Sequence, residues 1–154
     1  MRRSEVLRGV IAALLLAIPV SAQVTLIPHG TPAAVTEALK ATFVPQGFQA
    51  GKSDDKGALF TLDKGNITQN SPNGIQVVHL TVEIQAHYRK KTEGLEASLT
   101  EEVVGTTRDQ EMRNPVVNRT ETDNLQKLLD GIRTDIEAKT KPADSTAKRD
   151  SSGH

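Results

Sequence analysis

"VHLTVEIQAHYRKKTEGLEASLTEEV", residues 78–103, holds the two longest alternating runs in the chain. Val78, Leu80, Val82, Ile84, Ala86 and Tyr88 point one way, and His79, Thr81, Glu83, Gln85, His87 and Arg89 the other. Side chains alternate across a strand, so this pattern reads as a strand with one buried face. Leu95, Ala97, Leu99 and Val103 repeat it after Lys91-Thr92-Glu93-Gly94. A short loop ending in Gly then predicts a hairpin. Its register follows from parity. The two apolar rows share a face only if paired residue numbers sum to an odd value, which a loop closing on Lys90 and Leu95 satisfies. Arg89 then faces Glu96, a favourable pair, and Glu83 faces Glu102, an unfavourable one. Ile84 faces Glu101. These conflicts predict that a failure of the ladder falls there, as a bulge. Ile75 and Val77 are out of phase with the row from Val78, which predicts another bulge near Val77-Val78.

Outward from this hairpin, Val24–Ile27 is a short β-like run ending at Pro28. Thr31 then suits a helix cap and Pro32 the first helical position, where a missing N–H costs nothing. Val35, Ala38, Leu39, Thr42 and Phe43 recur on one helical face before Pro45 and Gly47 end the run. Phe48 and Ala50, then Ala58, Phe60 and Leu62, alternate around the turn residues 53–57, a second hairpin. Residues 66–74, dense in Asn, Ser, Pro and Gly, read as a loop, and residues 109–119 as irregular. A second helix over residues 120–139 starts at Thr120, with Asp123 in its first turn. Leu125, Leu128, Leu129, Ile132 and Ile136 form its apolar stripe. From Lys139 to His154 no apolar periodicity remains, and a disordered tail is expected. The predicted fold is α+β: two helices on one face of a mainly antiparallel sheet of four to five strands. The predicted division is a signal peptide at 1–22, one domain at 23–138 and a tail at 139–154.

The N-terminus fixes the expected location. Arg2, Arg3 and Arg8 precede an apolar run from Val10 to Val20, shorter than the ~20 residues that cross a bilayer. Val20-Ser21-Ala22 places small residues at a cleavage site before Gln23. Together these describe a secretory signal. The expected product is secreted or periplasmic and has no transmembrane segment. It has 132 of the 154 residues, 16 basic and 18 acidic side chains, and no cysteine, so no disulfide is available. A near-neutral chain gives no electrostatic footprint for nucleic acid. Aromatic residues make up 3% of it, which disfavours base-stacking and sugar-stacking sites.

No catalytic or cofactor motif is present. His79 and His87 share a strand face roughly 26 Å apart and cannot share a metal. Asp54 and Asp55 suit a turn. The mature chain has no serine in a nucleophile elbow and no Gly-rich phosphate loop. Asn66 and Asn118 fall in glycosylation triplets. Two features stand out. Glu101 falls on an apolar row, where a bulge, a place at the sheet rim or a buried general acid or base would each explain it. Tyr88, Arg89, Lys90 and Lys91 lie at a hairpin tip that can touch an anionic lipid or partner. The functional expectation is a non-enzymatic binding or interaction module of the cell envelope, without a cofactor and with an unknown protein or envelope partner. A hydrolase of unrecognised type using Glu101 is an alternative. The order strand–helix–strands–helix behind a signal also resembles, in architecture, the small lipoprotein of the lipopolysaccharide-assembly machinery. That resemblance implies an envelope-assembly accessory role. This chain shares no motif with that family and lacks its lipidated cysteine.

Overall fold

The computed structural model describes residues 23–116 and 119–141. Its elements are β1 (Gln23–Pro28), α1 (Pro32–Phe43), β2 (Gln49–Asp54), β3 (Gly57–Ser71), β4 (Gly74–Lys91), β5 (Gly94–Thr106), β6 (Glu111–Pro115) and α2 (Arg119–Thr140). A 3-10 turn, Val44–Gln46, follows α1 and closes at Gly47 in the left-handed region. The expected signal segment 1–22, Asn118 and most of the predicted tail lie outside the described residues. Among the described residues, no helix is long and apolar enough to cross a membrane.

The sheet is antiparallel, with strand order β1-β5-β4-β3-β2. β6 joins β5 on the edge that β1 uses further along. The β4–β5 register is the predicted one. Lys90 pairs with Leu95, Tyr88 with Ala97, and the ladder runs unbroken to His79 and Thr106. Its turn tightens to Thr92-Glu93, because Lys91 pairs with Gly94. Gly94 has φ 150°, and a Cβ there would press on the Ile27 carbonyl of β1. No bulge forms at Glu101-Glu102.

α1 begins as read: the Thr31 hydroxyl accepts from the Ala34 N–H at 3.2 Å. Both helices cover one face of the sheet, α1 over β2 and β3 and α2 over β1 and β5. Ile27, Val35, Leu39, Phe60, Leu95 and Leu129 are fully enclosed between the layers. Phe43 packs tilted against Phe48 and Phe60, with centroids 5.4 and 5.2 Å away. Leu128 is only half-buried, whereas Leu39 and Leu129 are fully covered.

Several expectations are corrected. Among the described residues the sheet has six strands. The sixth, residues 111–115, falls in the stretch expected to be irregular, and its Pro115 is tolerated because it ends an edge strand, where no ladder N–H is needed. Residues 66–71 belong to β3 and Gly74 begins β4, so only Pro72-Asn73 turns. The turn-rich composition is overridden by pairing with the continuing strand β4. No bulge forms at Val77-Val78, which pair without interruption with Thr68 and Ile67; the ladder shifts instead on β3 at Lys64, between the pairs Asp63–Thr81 and Gly65–Leu80. There the Asp63 carboxylate accepts from the Gly65 N–H at 2.7 Å. α2 continues through Lys139 to Thr140, past the predicted boundary, with the Thr140 hydroxyl donating to the Ile136 carbonyl.

Candidate functional site

Glu101 sits on β5 opposite Ile84, on the face the helices cover. The α1 end and the α2 start diverge above it, leaving a cleft of about 310 Å³. Phe43 and Phe48 form one wall, Leu125 and Leu128 the other, and Ile84 and Glu101 the floor. Thr42, Gln46, Glu121 and Asn124 supply the polar groups of the lining. The α1 residues reach this place because the Pro45–Gly47 stop turns the chain back into β2. Glu121 lies in the first turn of α2, where the helix dipole favours a carboxylate.

Half-burial pushes the Glu101 carboxyl above the usual range, and the Glu121 charge pushes it further in the same direction. Lys64 pulls weakly the other way. Among the described residues Glu101 has no ion pair. An apolar pocket with a few convergent polar groups is the usual form of a small-ligand site. Its two carboxylates can take an ammonium or guanidinium group, accept from a hydroxyl, or hold a proton.

The second Glu conflict has a different outcome. Glu83 and Glu102 do face each other, and Arg113 of β6 donates to both, at 2.8 and 3.2 Å. It also donates to Glu111 at 2.7 Å. The like-charge pair in the sequence marked a place needing a cation, but Arg113 lay in the segment read as irregular.

Tyr88 does not belong to the hairpin tip. Its parity turns it inward, where its hydroxyl meets that of Thr36 at 2.8 Å. Arg89, Lys90 and Lys91 are exposed, and each has a carboxylate neighbour. Arg89 and Lys91 lie 3.9 and 3.3 Å from Glu96, and Lys90 lies 3.4 Å from Asp55. Asp54 accepts from the Lys56 and Gly57 N–H groups, as a turn former does. His79 lies 2.9 Å from the Asn66 amide oxygen and 3.4 Å from Asp63. His87 is eight residues away on the same strand. Among the described residues, no three His, Asp or Glu side chains converge to hold a metal.

Fold and cleft together define a class: an α+β domain of two helices on an antiparallel sheet, with a ligand-sized cleft where the helices part. No protein-family model matches the chain, and no curated protein matches it significantly.

Proposed function

We propose that this chain is an exported, non-enzymatic binding module of the cell envelope and that the cleft over Glu101 is its ligand site. One observation carries the reading: a half-buried carboxylate on a largely apolar floor without an ion pair among the described residues. A half-buried carboxylate without a cation beside it is unfavourable to a fold, and local departures from stable design concentrate at functional sites. A ligand with an apolar body and a donor or cationic end relieves both the exposure of the walls and the isolation of the charge. Export rests on the basic, apolar and small-residue pattern of residues 1–22.

The test is titration of isotope-labelled protein with aralkyl amines, followed by amide chemical shifts. Shifts confined to residues around Glu101, Leu125 and Leu128, and reduced in Glu101→Gln, support the site. Shifts scattered over the surface, or none at millimolar ligand, reject it.

The second reading, a hydrolase with Glu101 as general acid, draws support from its upward-shifted carboxyl beside Glu121. Turnover of generic ester or glycoside substrates that disappears in Glu101→Gln would favour it over simple binding. The envelope-assembly role implied by the architectural resemblance is tested by pull-down from envelope extract.

A further inference from the structure

The β3–β4 hairpin is longer than anything that flanks it. β2 pairs with β3 only as far as Gln49–Thr61, and β5 pairs with β4 only as far as His79–Thr106. Beyond these points residues 65–78 form a two-stranded arm with both edges open among the described residues. A lone two-stranded ribbon is marginal in water, and an open edge is a template for another strand.

The sheet protects its edges elsewhere. β1 is short, ends at Pro28 and is overlaid by α2. β6 carries Glu111, Arg113 and Pro115. On β3 the bulge at Lys64 guards the base of the arm. Past Lys64 this protection stops. Residues 65–78 contain no charged side chain or histidine, in a chain that is 25% charged. They also carry Ile75, Val77 and Ile67, exposed by 78, 56 and 45%.

We infer that the open edge of β3 pairs antiparallel with the same edge of a second copy, around a twofold axis at Thr68. Self-complementarity singles out a copy of this chain as the occupant. A charge-free strand meets itself without like-charge repulsion. Amide side chains both donate and accept, so Asn66 of one copy can bond Asn70 of the other. Thr68 faces its own equivalent, a favourable cross-strand pair. This register overlaps all of residues 65–71 and leaves both Lys64 side chains and both Pro72 rings outside the ladder.

The existing β3–β4 register then sets the neighbours across the joined sheet. Thr68 is beside Val77 within one copy, so Val77, Thr68, Thr68 and Val77 form one continuous row on the face away from the helices. The exposed Val77 side chains flank a threonine pair whose methyl groups extend the apolar surface. Seven residues span about 24 Å at about 3.4 Å each. One strand edge of that length is smaller than a standard interface of roughly 800 Å² per partner. The dimer is therefore weak and reversible.

The chain has no cysteine, so a single introduced thiol gives a clean test. Sedimentation of the mature protein up to millimolar concentration should show a monomer–dimer equilibrium. Thr68→Lys, on an exposed side chain, should shift it to monomer with an unchanged circular dichroism spectrum. Thr68→Cys should form an intermolecular disulfide under mild oxidation faster than Lys52→Cys, a control on exposed β2. Three results overturn the inference: a monomer throughout the range, a dimer unaffected by Thr68→Lys, or equal cross-linking at positions 68 and 52. Monomer throughout would leave strand addition by a foreign partner as the use of the arm.

Discussion

Thr36 and Tyr88 make the one buried side-chain hydrogen bond between α1 and the sheet found among the described residues. Breaking it from each side should give unequal losses. In Tyr88→Phe the Thr36 hydroxyl can turn back to the carbonyl one helical turn earlier, so the cost is about 1 kcal/mol. In Thr36→Val the phenol stays buried without an evident substitute, at about 2 kcal/mol. The double variant removes both partners and should cost well under the sum, leaving a coupling of about 1 kcal/mol. These losses correspond to roughly 3–5 °C in melting temperature per kcal/mol for a domain of this size.

The same pair predicts a pH effect. Tyr88 is the chain's single tyrosine and there is no tryptophan, so the tyrosinate absorbance band reports it alone. Burial holds its phenol above the ordinary tyrosine range, while the Thr36 hydroxyl draws it partly back. The folded protein therefore favours the neutral phenol. This contribution is complete below the unfolded pKa of about 10 and is lost as pH rises through the higher folded value. Thr36→Val should move the tyrosinate titration still higher. Additive single costs, or a wild-type phenol that titrates like a free tyrosine, would refute the reasoning.

Leu129→Ala should cost about 2–5 kcal/mol by chemical denaturation, because its side chain is fully enclosed; Leu128→Ala, on the cleft wall, should cost clearly less. Glu101→Gln should be more stable than the parent at neutral pH. Since the Glu101 carboxyl is raised in the fold, its protonated form supports folding below the unfolded pKa, and that support is lost as pH rises through the folded value. The two stability curves should therefore merge in acid and separate above it, and identical curves would show that Glu101 is well solvated. Arg113→Gln should lower the melting temperature, and Glu102→Gln in that background should restore part of the loss by removing the like-charge pair; no change in either would mean that the Arg113 bonds do not matter. Intact-mass analysis of secreted material should find a chain starting at Gln23, against a full-length product held in membranes.

Local pattern was enough for much of the fold. Strict alternation over residues 78–103, and the parity it imposes, decided the β4–β5 register down to individual pairs, because a one-residue slip would expose every apolar side chain. Thr31-Pro32 and the stripes through Leu39 and Leu129 marked both helices, since capping and amphipathic faces are properties of a few adjacent residues. Glu101 was legible as an anomaly on an apolar row. Its cleft was not, because the cleft exists only where residues 42–48 and 121–128 meet over β5. Arg113 is similar: its sequence neighbours say nothing of Glu83, thirty residues away, and the cation's position depends on β6 joining a sheet edge. Tyr88 looked like part of a charged tip by sequence proximity, yet its partner Thr36 lies across the layers. The β3–β4 arm was hidden from local pattern for the same reason. Asn, Ser and Gly favour turns when only local terms count, but a strand needs a partner's backbone, and tertiary pairing with residues 74–80 made these residues a ladder.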